Sequence, residues 1–303
     1  MDAAQKGLIA GLAVAAFSAS TSLLVRGIGA RIPPITLNAW RCTVAALLFL
    51  PLWWATTGGT VPDVRTLSWI GLSVLFSIVI GDTSFFFAIK KIGVSKATPI
   101  AKIFPAFAVL LSWVLLDEAL GGMKLLGVAL AVGGTILMSH HAPVAVGALS
   151  SEIDSQRQSA RDHRVGIAVA IGTALAWALG AIVLKVSLTT ADVVTVSLFK
   201  TIIAGGMLWT LSARVDHVPV RNVLFDRTNL LLAMATGVTL AGAALLLVYS
   251  ISQVGAGSAA VYAGLAPLFA VPLGVLIFKE RMSLIAVIGC LLAIAGIICV
   301  SMG

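Results

Sequence analysis

The sequence predicts an all-α integral membrane protein with ten transmembrane helices, arranged as two inverted five-helix repeats around a central cavity. The first observation behind this prediction is composition. Of 303 residues, 59% are hydrophobic and 11% are charged, and the mean hydropathy is +1.08. A water-soluble domain cannot cover that much apolar surface with polar groups. The other two observations are the spacing of the apolar residues and an internal repeat.

The apolar residues form ten stretches, each of about 17–23 residues, which is the length that an α-helix needs to cross roughly 30 Å of hydrocarbon. A transmembrane β-strand would be about ten residues long and would alternate apolar with polar residues, so barrel strands are excluded. In chain order the stretches are 7–25, 35–56, 67–89, 97–116, 123–139, 165–184, 192–212, 229–251, 257–278 and 284–301.

The repeat is visible without gaps over one long segment. Residues Gly93–Ser139 align with Gly255–Ser301 at a constant offset of 162, and fifteen of 47 positions are identical. The first two helices of each half align at an offset of 159. The matched positions include a proline and a glutamate in each copy, namely Pro105 with Pro267 and Glu118 with Glu280.

The odd number of helices in each copy sets the topology. A second copy that follows five crossings must enter the membrane from the opposite face, so the copies are predicted to be inverted. Inverted repeats are typical of secondary transporters, which hold substrate near the midplane between the halves. The predicted domains are a first repeat over 1–139, a polar linker over 140–164 and a second repeat over 165–303.

The paired prolines predict two interrupted helices. A proline inside a helix removes one hydrogen bond and displaces the carbonyl four residues earlier. For Pro105 and Pro267 those carbonyls belong to Ala101 and Ala263. Free backbone groups at membrane depth are tolerated where they face protein or a water-filled cavity. The two interruptions are therefore interpreted either as packing kinks or as part of a cavity wall.

Four charged residues lie inside apolar stretches: Arg41, Asp82, Lys102 and Lys200. Ionisable groups in the membrane are costly and usually mark a polar pathway. Arg41 and Lys200 could instead extend along their helices to the headgroups. The short side chain of Asp82 cannot, so it is expected to pair with Lys102 or Arg41, as a structural tie or as part of a substrate site.

Two aromatic residues are candidates for the wall of the same site. Trp177 lies near the middle of the sixth stretch among small neighbours, and Tyr262 lies one turn before Pro267. A buried tyrosine hydroxyl needs a polar partner, which a cavity can supply. For both residues, ordinary packing is the alternative.

The sequence lacks the motifs of several other functions. It contains no G-x-x-x-x-G-K-[ST] loop for ATP and no H-E-x-x-H metal motif, and its histidines lie in predicted loops. Asp82 is the only acid deep in a predicted helix, whereas an intramembrane aspartyl protease needs two facing carboxylates. We therefore expect no enzymatic activity, no catalytic residues, no cofactor, no metal site and, since the net charge of +8 reports topology, no nucleic-acid partner.

The tandem five-helix halves, each with a small-residue fourth helix, a central proline and a terminal glutamate, resemble paired EamA domains of the drug/metabolite transporter superfamily. The resemblance covers the chain except the linker. It implies a membrane transporter with a central cavity between the halves, whose relatives include amino-acid and metabolite exporters. We accordingly expect a multi-pass protein of a bacterial inner (plasma) membrane that contacts lipid and functions as a monomer.

The charges narrow the expected substrate. Three cations and one anion favour a molecule that carries a carboxylate or phosphate, and a zwitterionic amino acid fits the set best. Nucleotide sugars or phosphorylated metabolites are the alternative, and a membrane scaffold without transport is a third. Export by alternating access is the expected mechanism. Of the 17 lysines and arginines other than the three intramembrane cations, 13 lie on the face of the linker. The other four, on the face of the termini, are Lys6, Arg65, Lys124 and Lys185. The positive-inside rule therefore predicts a cytoplasmic linker and termini outside.

Overall fold

The computed structural model describes residues 1–28, 32–139, 160–216, 226–278 and 284–302. Within these ranges, all regular structure is helical. One segment, Leu75–Asp82, is π-helical. The α-helices are α1 Ala3–Ile28, α2 Pro34–Thr57, α3 Val64–Val74, α4 Thr83–Ile92, α5 Val94–Ala101, α6 Phe104–Leu116, α7 Gly122–Ser139, α8 Ala160–Ser187, α9 Val193–Val215, α10 Arg227–Gly264, α11 Ala266–Phe278 and α12 Leu284–Met302.

Aspartates define the starts of three helices. Asp63, Asp192 and Asp226 precede α3, α9 and α10, and each carboxylate accepts a hydrogen bond from an amide in the first turn. Such a cap satisfies amides that have no partner within the helix, and its negative charge suits the helix N-terminus. The local sequence therefore fixes where these apolar helices begin.

Eight helical stretches are long and apolar enough to cross a membrane, and a further apolar helix, Gly122–Met138, is shorter. One of the eight, Arg227–Leu273, spans 47 residues and contains the eighth and most of the ninth predicted helix. The described residues thus form an all-helical membrane protein with eight candidate spans. The count of ten inverted helices stays a prediction.

Contacts between the two halves of the chain organise the core. Helix α1 packs along α10, α2 along α9, and α7 along α12, while α3, α4 and the π-helical segment pack on α8. Helix α6 lies against both α8 and α10. In each pair one helix comes from residues 1–139 and the other from residues 160–302, so the centre of the bundle lies between the halves.

Small residues allow α7 and α12 to approach backbone to backbone. A β-carbon on Gly134 would lie 2.5 Å from the carbonyl oxygen of Gly289, and one on Gly296 would lie 2.5 Å from the amide nitrogen of Ala131. Close helix packing through small residues is typical of membrane proteins. Lipid is as apolar as the helix surface, so helices associate through close van der Waals contact and not through the hydrophobic effect. Gly289 and Gly296 lie 162 residues after Gly127 and Gly134, so equivalent positions of the two repeats form this contact.

The first pair of helix breaks lies at two equivalent glycines. Gly93 separates α4 from α5 with φ 78° and ψ 160°. Gly255 interrupts α10 with φ 83° and ψ 169°. Side chains are almost excluded from this backbone region, so glycine is required at both positions. The two residues are 162 positions apart, which is the offset of the repeat.

A second pair of breaks lies just before the two prolines. In the first half, the amides of Ile103 and Ala106 donate to carbonyls three residues earlier, at 3.2 and 2.9 Å. In the second half, the amides of Leu265 and Leu268 do the same, at 3.3 and 2.9 Å. These tight turns join α5 to α6 and α10 to α11 at equivalent places. Pro105 and Pro267 each lie in the first turn of the helix that follows.

Two sequence predictions meet the limits of the described ranges. Helix α8 begins at Ala160, five residues before the start of the sixth apolar stretch, so the end of the predicted linker is helical. Residues 140–159, which form the rest of that linker, lie outside the described residues. Glu280, the predicted counterpart of Glu118, also lies outside them.

Candidate functional site

Asp82 lies at the end of the π-helical segment and is half-buried. Its Oδ1 accepts a hydrogen bond of 2.9 Å from the indole Nε1 of Trp177. Single π-helical turns are rare within α-helices and occur often at functional sites. The acid of the first half is thus held by an aromatic side chain of the second half, deep within the bundle.

The indole of Trp177 is fixed by its neighbours. A β-carbon on Gly81 would lie 2.5 Å from Cδ1 of the indole, so the ring rests on the backbone of the π-helical segment. The rings of Phe85 and Phe104 are 5.3 and 6.0 Å away between centroids, and Phe104 packs edge-on. These aromatic contacts leave the indole N–H directed at the carboxylate.

Two cations, one from each half of the chain, lie in the electrostatic neighbourhood of the carboxylate. Arg41 on α2 and Lys200 on α9 both interact electrostatically with Asp82. They are half-buried, as Asp82 is. These two cations occupy equivalent positions of the repeats, 159 residues apart. The alignment therefore places two positive charges near one negative charge at the contact between α2 and α9.

The guanidinium of Arg41 is oriented by neutral groups. Its Nε donates to the carbonyl oxygen of Thr236 at 3.3 Å, and its Nη1 donates to Oδ1 of Asn38 at 3.3 Å. Hydrogen bonds to carbonyls leave the positive charge uncompensated, so it remains available to an anion. Both partners lie on helices of the bundle, α10 and α2.

Lys102 occupies a different place. It lies in the turn between α5 and α6, immediately after Ala101, and lines a narrow cleft. Pro105, Thr135 and Leu265 also line this cleft, so it joins the broken helices of both halves. The electrostatic neighbours of Asp82 are Arg41 and Lys200, and Lys102 forms a second positive centre at the paired breaks.

Tyr262 belongs to the packed core and not to the charged cluster, by which we mean Arg41, Asp82 and Lys200. It is 2% exposed and lies in a hydrophobic cluster with Ala15 and Val261. Its β-carbon would lie 2.5 Å from a β-carbon placed on Gly11. The structure therefore places this ring between α1 and α10. Ala263 and Pro267, which flank the neighbouring break, are half-buried.

Three contributors to the site were not identified from the sequence. Gly81 gives Trp177 its seat, Thr236 orients Arg41, and Cys42 interacts electrostatically with Arg41, Asp82 and Lys200. Cys42 was interpreted as a small hydrophobe within its helix. The position of Gly81 beside a membrane acid was the one available signal, but a π-helical turn has no recognisable sequence pattern.

A groove on the outer surface lies close to the charged cluster. It has a volume of about 580 Å³ and lies between α2 and α9, with Cys42, Thr43, Gly205 and Trp209 among its lining residues. The indole of Trp209 donates to the Thr43 hydroxyl at 3.0 Å. Leu47, also in the lining, is 64% exposed, so the groove opens towards the lipid.

Comparison with known proteins identifies the family. The EamA-like transporter family matches residues 5–140 and 164–302. The chain belongs to the EamA-like transporter family. An uncharacterized transporter of Archaeoglobus fulgidus is 27% identical over 263 residues, which cover 87% of this chain and 86% of that protein. A protein of known crystal structure superposes with a TM-score of 0.76 at 19% identity, over 97% and 96% of the two chains.

Family membership agrees with the resemblance deduced from the repeats, and it makes this EamA protein a transporter of the drug/metabolite transporter superfamily. The transporter names of the family and of the relative indicate a membrane carrier of a small molecule and not an enzyme. Among the described residues, no group of three or more His, Cys, Asp and Glu side chains could hold a metal ion.

Proposed function

We propose that this EamA protein is a secondary transporter that exports small metabolites, with amino acids as the favoured class, by alternating access. In this proposal the chain forms ten spans, as two inverted repeats over 1–139 and 165–303 joined by the 140–164 linker. The matched breaks at Gly93 and Gly255 support the repeat, since they share one rare backbone conformation at the repeat offset. Division of α10 at Gly255 turns the eight candidate spans into nine, and the shorter helix α7 brings the total to ten.

The observation that carries the proposal is that Asp82, held by Trp177, has both Arg41 and Lys200 in its electrostatic neighbourhood. Charges at membrane depth are costly unless they are paired or face water, and they commonly mark a substrate pathway. One carboxylate cannot neutralise two cations. A zwitterion supplies the missing charge, because its carboxylate can bind Arg41 or Lys200 while its ammonium binds Asp82.

Trp177 has two roles in this proposal. Its N–H keeps the Asp82 carboxylate in place, and its ring, with Phe85 and Phe104, offers an apolar surface to the substrate. Lys102 is a third cation, which binds the substrate carboxylate as the halves move. Tyr262, with the breaks at Ala101–Pro105 and Ala263–Pro267, belongs to the parts that bend between states.

A second candidate is a substrate that carries phosphate, such as a phosphorylated metabolite or a nucleotide sugar. The excess of cations favours it, because Lys102 adds a third positive charge at the paired breaks. A membrane scaffold without transport is the remaining alternative. It gives no reason for charged groups from both repeats to converge on one acid.

A ligand screen tests the substrate class. Ligands that bind the folded state raise its thermal stability, so the purified protein is heated with amino acids, organic phosphates and cationic dyes. We expect a rise in Tm with an amino acid, and loss of that rise in Lys200→Gln. Lys124→Gln is the matched control, because Lys124 is also buried but donates to the carbonyl of Ala119 outside the cluster.

Flux into proteoliposomes then separates transport from binding. Uptake of a labelled amino acid against preloaded unlabelled amino acid supports the transporter. Stabilisation only by organic phosphates would select the second candidate, and ligand binding without any flux would select the scaffold.

A further inference from the structure

Two charged side chains from other helices hold the break in α10 at Gly255. Glu118, just after α6, accepts hydrogen bonds from the amides of Ala256 at 2.8 Å and Gly257 at 3.3 Å, one with each carboxylate oxygen. Lys185, in the last turn of α8, donates from Nζ to the carbonyl oxygen of Ile251 at 3.0 Å. The break is therefore held on both of its sides.

The signs of these charges match the backbone groups that the break exposes. A helix interruption leaves carbonyls without partners on the segment before it and amides without partners on the segment after it. A cation stabilises the first and an anion stabilises the second. Lys185 and Glu118 supply these charges in that order. Hydrogen bonds between amides and an ionised carboxylate are stronger than those between neutral groups.

The fit of Glu118 is close. Gly255 is buried, and a β-carbon there would lie 2.6 Å from Oε2 of Glu118. Two residues further along α10, a β-carbon on Gly257 would lie 2.5 Å from the hydroxyl of Ser112, which is 1% exposed. The carboxylate thus fills the gap between the end of α6 and the segment after Gly255, which we call the seam, and Ser112 lies buried behind it.

Polar contacts between the halves lie at both ends of the bundle. At the end opposite to the termini, the amide and hydroxyl of Thr36 donate to Oδ2 of Asp216 at 2.9 and 2.7 Å. Two further contacts lie at the end at which α1 begins and α12 finishes. The hydroxyl of Ser250 donates to the carbonyl of Gly7 at 2.8 Å. The hydroxyls of Thr66 and Thr190 are 2.6 Å apart. At the opposite end, Gly93 is exposed, and no described side chain would meet a β-carbon there within 4 Å.

We propose that Glu118 is a gate residue, and that its two bonds to α10 hold the terminal end of the bundle closed. Loss of these bonds frees the start of the segment after Gly255 and opens the seam to water. Lys185 is a positioning residue for the same gate, because it fixes the segment before the break. This inference rests on the proposed alternating-access transport and assigns the closed side of the structure.

Labelling of a cysteine behind the seam tests the gate without a substrate. The native cysteines Cys42, Cys290 and Cys299 are replaced, and Ser112→Cys is introduced as the reporter. A membrane-impermeant maleimide in detergent solution should react slowly with this parent. Glu118→Gln keeps the shape of the side chain but removes its charge and one acceptor, so we expect labelling to become roughly five- to tenfold faster.

Asp117→Asn is the matched control. Asp117 is exposed, adjacent to Glu118, and has φ 52°, a left-handed conformation that asparagine accepts. The control removes one carboxylate charge from the same loop and leaves the contact with α10 intact, so labelling should stay at the parent rate. Equal rates in Glu118→Gln and the parent, or equal acceleration in both variants, would overturn the gate.

Two further measurements keep the result interpretable. If Glu118→Gln does not fold, Glu118→Asp and Lys185→Gln replace it, and each should accelerate labelling less than the loss of the whole contact. Flux is measured on the parent in parallel. Lack of flux with faster labelling in the variant would reject transport and keep the gate, whereas normal flux with unchanged labelling would reject the gate alone.

Discussion

The break at Gly93 and the break at Gly255 have the same backbone but different surroundings. Both glycines have φ near 80° and ψ near 165°, and both separate the third and fourth helices of a repeat. Gly93 is exposed, whereas Gly255 is buried against the carboxylate of Glu118. Equivalent residues in two copies of one sequence therefore form an exposed hinge at Gly93 and a clamped hinge at Gly255.

This difference shows how a repeated sequence produces an asymmetric structure. The repeat specifies two hinges, because only glycine adopts the required conformation. It does not specify that both hinges are held at once. On the proposed mechanism, one end of the bundle must be closed while the other is open, and the bonds from the amides after Gly255 to Glu118 help to hold the terminal end closed.

The largest effect is expected from placing a side chain at the clamped hinge. Gly255→Ala forces a residue into a conformation that costs about 1–3 kcal/mol and adds a collision with Glu118, for which overpacking costs about 1–3 kcal/mol more. Gly93→Ala has the backbone cost alone. Thermal unfolding in detergent should show a larger fall in Tm for Gly255→Ala.

Gly172→Ala is the control for this pair, since Gly172 is helical and no described atom lies within 4 Å of the position of its β-carbon. It should leave Tm unchanged or slightly higher. Equal falls in Tm for Gly93→Ala and Gly255→Ala would show that collision with Glu118 adds nothing to the loss of stability and that the two hinges do not differ.

The second largest effect is expected at Asp82, the acid that accepts a hydrogen bond from Trp177. Asp82→Asn keeps an acceptor for Trp177 but removes the charge proposed to bind the substrate ammonium. A charged hydrogen bond is worth about 1.5–3 kcal/mol, so affinity for the amino acid should fall by about one to two orders of magnitude, as measured by titration of Tm. The pH dependence of the remaining flux should match the wild type. Unchanged affinity with a lost pH dependence would make Asp82 the proton carrier instead.

A smaller effect is expected from the residue that holds this acid. Trp177→Phe retains an aromatic ring between Phe85 and Phe104 but removes the hydrogen bond to Asp82. This bond orients the carboxylate and does not itself contact the substrate, so affinity should fall less than in Asp82→Asn, by roughly fivefold or about 1 kcal/mol. Trp209→Phe is the matched control, because its indole donates to Thr43 at the lipid-facing groove. A similar loss in both variants would indicate general destabilisation.

The smallest effect is expected at the terminal end of the bundle, where Asp63 caps α3. Hydrogen bonds from the Thr66 side chain and amide lower the pKa of Asp63 below its usual range. A carboxyl whose folded pKa is lowered stabilises the fold above its unfolded pKa of about 4, and that stabilisation is lost as pH falls further. Asp63→Ala should therefore lower Tm slightly at pH 7, and the difference should narrow by pH 3.

Asp117→Asn serves again as the comparison for Asp63, since it removes an exposed carboxylate that caps no helix. Its Tm should follow the wild type at both pH values. A difference for Asp63→Ala that widens on acidification would contradict the capping role.

Several features followed from the sequence because they depend on local chemistry. Apolar stretches of transmembrane length give an all-helical membrane protein, since only intrahelical bonds satisfy the backbone in lipid. The repeat offset anticipated where the two helices break before Pro105 and Pro267, because proline has no amide to donate. The same offset led to the family, which the match over both halves confirms.

Tertiary structure decided which of the charged residues lie near one another. The sequence left Lys102 and Arg41 as alternative partners for Asp82. Helix packing brings Arg41 and Lys200 into the electrostatic neighbourhood of Asp82, gives Asp82 a hydrogen bond from Trp177, and leaves Lys102 at a separate cleft. Tyr262 was a candidate for the cavity wall and lies in the core. These outcomes depend on the rotation and depth of helices that are distant in the chain, and hydropathy does not encode either quantity.

The sequence by itself determined that the protein lies in lipid and that its chain contains an internal repeat, because both follow from hydropathy and residue identity along the chain. The tertiary structure showed that the helices also break at Gly93 and Gly255. Only the tertiary structure decided that Trp177 holds Asp82 and that Glu118 clamps Gly255. Both contacts join residues of different halves of the chain, which are 95 positions apart for the first contact and 138 for the second. Such contacts exist because interhelical packing brings a donor to an acceptor, and no local pattern specifies which donor that will be.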